Sequence, residues 1–413
     1  MTPDTTTPFH IGLLGCGTVG SAFAELIEER APEVERLTGR RPLISGVLTR
    51  SRGDAAEILA GADLIVEVMG GVDPTREHVL AALHSGTPVV TANKQLLSRH
   101  GPELWQAARD GGTELRFEAA VAGVVPVVRV LSESLAGAHV DRVRGIVNGT
   151  TNFILTQMAA TGASYEEALK EAQDLGYAES DPTEDVTGGD AAAKMAVLAR
   201  LAFGSWVHLD DVPHEGIEHL TADDMAYAEQ FGLGLKLLGT AERVGAGIAV
   251  RVHPAFLYAG HPLASISGPF NAVTIESPAI TEVTLSGPGA GGPQTASAIL
   301  GDVVSAMTGD RSPTGGEANA ATIVDDVESA FYLRLEVADR PGVLAQVAER
   351  LGLQGVSVRS VVQEGLGDTA RLVIVTHPVA ESRFFAALEL ISALDFMRAA
   401  PRAIRVIDET FEG

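Results

Sequence analysis

The sequence predicts an α/β protein in three parts: a doubly wound parallel sheet, an α+β middle region, and a small βαββαβ tail. Three observations carry this. An apolar run leads through a glycine-rich turn into a helix at the N-terminus, β and α patterns then alternate for about a hundred residues, and a strand-helix-strand-strand-helix-strand pattern closes the chain.

The first element is "FHIGLLGCGTVGSAFAELIEER", an apolar run of buried parallel-strand type followed by a helix of 3.6 period. Between them Gly15, Gly17 and Gly20 form G-x-G-x-x-G. The first glycine permits the tight turn, the second lets backbone approach a pyrophosphate, and the third lets helix pack on strand, with the helix N-terminus facing the anion. Thr18 and Val19 belong to the same turn, and Gly70, Gly176 and Lys94 are further cofactor-binding candidates. Strand patterns recur at "PLISGVLT", "ADLIVEVMGG", "TPVVTANK" and "ELRFEAAVAG", with helical patterns at "EHVLAALHSG" and "ELWQAARDGG". The expectation is a Rossmann-type domain over 1–133.

An NAD-type site places an acid at the end of the second strand, where it bonds the ribose 2'-hydroxyl. Here that strand ends "LTRSR", with no acid before Asp54. Arg50, helped by Arg52, therefore favours a 2'-phosphate, so NADP is the expected cofactor and NAD a possible one. A solvated surface arginine is the plainer alternative.

The middle region, 134–286, is expected to bind substrate and to dimerise. "VDRVRGIVNGTTNFILTQM" reads as a strand entering a helix, and "ESDPTEDVTGGDAAAKMAVLAR" runs from acids into an apolar helix. On that helix Asp190 and Lys194 stand one turn apart, and desolvation would pull the lysine pKa down toward useful acid/base range. A surface i,i+4 ion pair is the plain alternative. "NGT" at Asn148–Thr150 fits a glycosylation acceptor, but no secretion signal accompanies it. "HLDDVPHEG" offers His208, Asp210, Asp211 and His214, yet the spacing fits no helical histidine pair and short loops before helices collect such residues as caps.

"GLLGCGTVG", "TANKQLL", "VNGTTNFIL", "LGYAESDPTEDVTGGDAAAKMAVLARLAFG" and "LSGPGAGGPQTASAILGDV", in this order, resemble the signature blocks of the homoserine dehydrogenase family along essentially the whole chain. The resemblance implies reversible, NAD(P)H-dependent reduction of L-aspartate 4-semialdehyde to L-homoserine. It implies that Lys194 and Lys94 are catalytic, without deciding which gives the proton, and that Glu179, Asp185 and Asp190 bind substrate. It also implies a monovalent cation, sodium by expectation, held mainly by backbone carbonyls at Glu118, Val121, Gly123 and Val125. The glycine-rich block should return the chain to the nucleotide domain over about 287–310, with a helix from near Thr295, and Gly291 should meet the cofactor.

"TGDRSPTGGEANAA" reads as a linker within 308–328. The tail, 329–413, has the ferredoxin-like βαββαβ pattern, and "DRPGVLAQVAERL" resembles the first turn and helix of an ACT domain, with Gly342 beside an amino-acid effector. Threonine is the effector to expect, and the tail reads as a separate module removable without loss of turnover.

The chain is 46% hydrophobic and 20% charged, which is globular composition, and its net charge of -24 repels phosphate backbones and anionic membranes. No nucleic-acid or membrane partner is expected; a cytoplasmic homo-oligomer, dimer or tetramer, is. A phosphorylating semialdehyde dehydrogenase needs a thiol nucleophile, and the single thiol, Cys16, sits in the phosphate-binding turn. A dinucleotide-sensing regulator would need an output surface, which so acidic a chain does not offer to DNA.

Overall fold

In the computed structural model, residues 7–309, 319–320, 322–365 and 367–407 are described. Five parallel strands begin the chain: β1 (Pro8–Leu14), β2 (Arg41–Leu48), β3 (Leu64–Glu67), β4 (Val89–Thr91) and β5 (Leu115–Arg116), in the order β2-β1-β3-β4-β5. The intervening helices are α1 (Thr18–Thr38), α2 (Ala55–Gly61), α3 (Thr75–His84) and α4 (Lys94–Asp110). Because side chains alternate along a strand, Leu64 and Val66 share one core with Phe23 and Ile27 of α1, while Ile65 faces the other with Val79 and Leu104 of α3 and α4. A strand buried on both faces must be apolar throughout, which is what "LIV" in β3 supplies.

Two boundaries differ from expectation. The "FEAAVAG" segment is not strand: after Arg116 the chain enters a 3₁₀ turn at Glu118–Ala120, then turns through left-handed residues at Ala122 and Gly123 (φ 58° and 64°) into the short helix α5 (Val127–Arg129). Helix α4 begins at Lys94, because Asn93 caps it by accepting from the Leu96 amide at 3.0 Å.

The middle region holds β6 (Arg142–Ile146), α6 (Gly149–Thr161), α7 (Tyr165–Asp174), α8 (Thr183–Val186), α9 (Gly189–Phe203), β7 (Ser205–Trp206), α10 (Ala222–Gln230), and the strands β8 (Leu233–Val244), β9 (Gly247–Tyr258), β10 (Phe270–Ser277) and β11 (Thr281–Pro288). Helix α9 is buried along almost its whole length, from Asp190 to Phe203. It lies on the sheet closely enough that a Cβ at Gly239 of β8 would stand 2.4 Å from Met195 Cγ. The return helix α11 (Gly292–Thr308) packs Ala296, Ile299 and Val303 into the core beside α1; it starts at Gly292, three residues before the expected Thr295.

The tail comprises β13 (Glu328–Ala338), α12 (Val343–Leu353), β14 (Val358–Gly365), β15 (Thr369–Thr376), β16 (Val379–Ala380), α13 (Glu381–Ser392) and β17 (Arg402–Ile407), preceded by the two-residue β12 (Asn319–Ala320). Its strands do not form a sheet of their own. The order β11-β10-β6-β8-β9-β17-β13-β15-β14, with β16 on β13, is one ten-stranded sheet, joined where β17 runs parallel to β9 with Arg405 opposite Ala255 and Ile407 opposite Leu257.

Side chains reinforce the joint. Tyr332 meets Phe256 edge-on at 5.1 Å between centroids, and buried Asp224 of α10 pairs with Arg334 at 2.9 Å. The expected linker lies partly outside the described residues, at 310–318 and 321. Its described parts are pinned to the middle region: β12 pairs with β7, and Ile323 bridges to Ile248. The tail is thus joined to the middle region by strand pairing, and removing it would uncover the β9 edge and the Phe256 ring. Among the described residues no helix is long and apolar enough to cross a membrane.

Candidate active site

Two cavities open at the C-terminal ends of the parallel strands, where an open α/β sheet presents its ligand. The first, about 720 Å³, is lined by the turn Gly15–Gly17, by Thr49, Arg50 and Ser51 after β2, and by Gly70, Asp73 and His78. The glycine geometry follows the physics of the motif. Gly15 has φ 102° and a Cβ there would strike the Val68 carbonyl at 2.6 Å; a Cβ at Gly20 would strike the Gly15 carbonyl at 2.2 Å; a Cβ at Gly17 would meet only open space. Thr18 and Val19 open α1, where Val19 packs beside α11 and Thr18 lies against Gly292.

Arg50 is exposed at the rim of this cavity, but Arg52 is not among its lining residues. Asp54, the first acid after β2, is spent as the cap of α2, accepting from the Ala56 and Glu57 amides at 2.8 and 3.1 Å.

The second cavity, about 630 Å³, is lined by Lys94, Asn148–Thr150, Gly176–Glu179, Asp185, Asp190, Lys194, Pro269 and the segment Pro288–Gly291 with Gln294. The fold brings five of the predicted residues, Lys94, Glu179, Asp185, Asp190 and Lys194, into this one space. Gly176 and Gly291, expected at the cofactor, line it as well.

At its floor lies Asp190, in the first turn of α9 and buried. Lys194, one turn on, donates to Asp190 Oδ2 at 2.7 Å and to the Val147 carbonyl at 2.7 Å, and Lys94 from the start of α4 pairs with Asp190 Oδ1. Burial pushes the Asp190 carboxyl up, but the two ammonium groups outweigh it and hold the acid well below the usual carboxylate range. Burial likewise lowers the pKa of Lys94, and the charge of Asp190 more than reverses it, so that this lysine sits above its ordinary value. At Lys94 the shared carboxylate therefore outweighs desolvation. Asp185 is raised, by burial first and then by the charge of Asp190. Glu179 is exposed at the cavity mouth.

Lys94 owes its place to Glu67. That buried carboxylate accepts from the Thr91 hydroxyl at 2.5 Å and from the Met69 and Gly70 amides at 2.8 and 3.4 Å, and Thr91 Oγ1 accepts from the Asn93 amide. One acid therefore fixes both the Gly70 turn and the start of α4.

At the candidate cation turn, the Glu118 carboxylate accepts from the Val128 and Arg129 amides, both at 2.9 Å, while the Glu118 amide donates to Asp302 at 2.8 Å. Glu118 lines a small cavity of about 160 Å³ with Val124, Pro126 and Arg129; Val121 and Val125 are buried, and Gly123 lies so close to the Gly289 carbonyl that a Cβ would stand 2.4 Å from it. His208, in the acidic loop set aside above, caps a turn through the Asp210 amide. In the tail, Gly342 has φ 89° as the N-cap of α12, with open space where a Cβ would point.

Sequence reasoning missed Asn148, Thr150, Tyr177 and Gln294, all on the second cavity. The side chain of Asn148 donates to Asp185 Oδ1 at 2.6 Å and to Asp190 Oδ2 at 2.9 Å. Its sequence signal was the helix-cap position before "GTTNFIL", which points to a buried amide as directly as to a glycosylation acceptor.

Sequence profiles place this arrangement among known proteins. Residues 15–118 match the family described as "Homoserine dehydrogenase, NAD binding domain", residues 126–304 "Homoserine dehydrogenase", and residues 331–396 "ACT domain". The chain is 41% identical over 435 residues to a homoserine dehydrogenase of Mycobacterium tuberculosis, covering 98% of this chain and 99% of that one. It is 43% identical over 422 residues to that of Corynebacterium glutamicum, covering 96% and 95%. Among solved structures, a homoserine dehydrogenase from Thiobacillus denitrificans superposes with TM-score 0.91 at 36% identity, covering 97% of this chain and 99% of that one. A hyperthermophilic archaeal homoserine dehydrogenase in complex with NADPH superposes with TM-score 0.65 at 27% identity, covering 74% and 99%.

Proposed function

The chain belongs to the homoserine dehydrogenase family of NAD(P)-dependent oxidoreductases, and from that premise we propose how its residues divide the work. The observation that carries the reading is Asp190 held between Lys94 and Lys194 at the floor of a cavity walled by the glycine segment Pro288–Gly291.

Bound NAD(P)H supplies a hydride to the aldehyde carbon. The oxygen there becomes an alkoxide and needs a cationic donor, and Lys194, the more buried lysine, is the residue we assign to give it a proton while Lys94 stabilises the charge. Asp190 is occupied by both lysines, so the substrate ammonium falls to Asp185 and Glu179, with Asp190 orienting the donors. The first turn of α6, at Gly149 and Thr150, lines the same cavity and offers backbone amides to the substrate carboxylate. Arg50 supports a preference for NADP.

Glu118, Val121, Gly123 and Val125 would hold a monovalent cation through carbonyl oxygens, hard donors suited to sodium. That fit rests on the left-handed turn at Ala122–Gly123 and on a Glu118 carboxylate already committed to amides. A cation there would brace the segment joining the two domains. The net charge supports cytoplasmic residence, and the exposed strand β14, with Val358, Val361 and Val362 open to solvent, supports assembly into a dimer or tetramer.

Threonine acting at Gly342 is the regulation we propose. The assay is reduced-nicotinamide absorbance with homoserine and either cofactor, with and without millimolar threonine. No turnover with either cofactor would overturn the catalytic reading; turnover indifferent to threonine would overturn the effector.

A further inference from the structure

Asn148 stands outside every role assigned so far, yet it touches both acids of the substrate cavity. It follows β6 by two residues and caps the N-terminus of α6, with its side chain buried. Its Oδ1 accepts from the Thr151 amide at 2.8 Å and from the Thr151 hydroxyl at 2.9 Å. Its Nδ2 donates to Asp185 and Asp190.

The orientation of the amide is not a matter of choice. A backbone N–H can only donate, so the atom facing Thr151 must be the oxygen; ionised carboxylates can only accept, so the NH₂ must face the acids. Capping the helix therefore aims two donors at two carboxylates. The neighbouring carbonyl, Val147, accepts from Lys194, so consecutive residues of the turn between β6 and α6 hold the proposed proton donor and the acids.

The two acids differ in what they receive. Asp190 has two lysines, whereas Asp185 has the Asn148 amide and, beside it, the negative charge of Asp190. A half-buried carboxylate next to another carboxylate tends to take up a proton or swing to solvent, and either outcome forfeits its attraction for an ammonium ion. A neutral double donor wedged between the acids opposes both tendencies without adding a cation that would compete with the substrate.

We propose that Asn148 is a positioning residue, an amide wedge that keeps Asp185 ionised and pointed into the cavity, so that it sets affinity for the amino-acid substrate rather than the rate of hydride transfer. This rests on the reading that Asp185 binds the substrate ammonium.

Two variants separate the wedge from the cap. Ser and Asp cap helices about as well as Asn, so Asn148→Ser keeps the cap and loses the bridge, and Asn148→Asp keeps cap and shape but sets a third carboxylate where the donors were. With the whole enzyme, both should raise KM for homoserine about tenfold or more, the order expected for a lost charge-assisted hydrogen bond. The KM for cofactor and the melting temperature should stay close to wild type. The KM defect of Asn148→Asp should shrink as pH falls and the added carboxyl regains a proton to donate, whereas that of Asn148→Ser should not. Asp185→Asn is the control. If it raises KM for homoserine while both Asn148 variants keep wild-type KM at every pH, the wedge is wrong; if Asp185→Asn leaves KM unchanged, the ammonium reading beneath it fails. Parallel loss of melting temperature and of affinity for both substrates would make Asn148 a cap only and overturn the proposal.

Discussion

Two clusters of charge lie inside this molecule, and they are built on opposite plans. Across β6, β8, β9 and β10, Arg142 meets Glu242 at 2.7 Å and Glu276 at 2.9 Å, Arg144 meets Glu276 at 2.8 Å, and Arg251 meets Glu242 at 2.7 Å. Every carboxylate oxygen there has an arginine, on strands whose register sets Arg142 directly opposite both glutamates. In the second cavity two lysines pair with Asp190, while among the described residues Asp185 and Glu179 have no lysine ion pair of their own. In the first cluster no carboxylate is left over, three arginines serving two glutamates; in the second the acids outnumber the lysines by one, a charge that a substrate ammonium would supply on the proposed reading. Burial of charge does not identify a site. Unfinished pairing beside a cavity does.

The sharpest break in that comparison is Lys194→Met, which should lower kcat by about 100-fold or more while cofactor binding and fold survive; stopped-flow and fluorescence titration check both halves. Retention of more than about a tenth of kcat would remove Lys194 from proton transfer. The converse is Glu276→Gln, which leaves buried arginine charge unmatched and should cost about 3 kcal/mol of stability by urea titration, with kcat/KM per folded molecule unchanged. A kinetic loss without a stability loss would make the strand cluster functional after all.

Arg50 is a cation of a third kind, exposed at the cavity rim and without an ion-pair partner among the described residues. Arg50→Ala should raise KM for NADP by about tenfold, as loss of a phosphate fork would, and leave KM for NAD nearly alone; equal losses would end the 2'-phosphate assignment.

A last test concerns Lys236, a buried lysine held by the Asn152 side chain at 3.3 Å and the Ile266 carbonyl, with no carboxylate paired to it among the described residues. Burial pulls its pKa down from 10.5 to about 8. The folded state thus binds its proton less well than the unfolded chain, so the stability this group contributes is present above about pH 10.5 and is lost as pH falls through about 8. Lys236→Met should flatten the rise in urea midpoint between those limits. An unchanged slope would assign it to other groups.

Much of this was legible from residue order because it is local. Gly15, Gly17 and Gly20 announce their turn within six positions, and Asp190 and Lys194 share a helix face by spacing alone. What was hidden depends on partners far along the chain. Lys94 meets Asp190 across 96 positions (190 minus 94), so the direction of its pKa could not be read from the helix. Asn148 reaches Asp185 from another element, and its tripeptide resembles a common surface signal. The proposed cation turn would leave little trace, because carbonyl ligation asks nothing of side chains. The tail was read correctly as a repeating pattern of strands and helices, but no pattern within "RAIRVI" says that its outer edge will find β9.

That edge has a consequence for how the molecule comes into being. Arg405 is made 150 positions after Ala255 (405 minus 255), so on a ribosome adding about 5–20 residues each second β9 waits many seconds for its neighbour. During that interval the backbone of Ala255, Phe256 and Leu257 offers an open row of donors and acceptors, beside side chains that end fully buried. The β9 edge of the middle region is therefore covered only when a strand of the tail has been synthesised and laid against it.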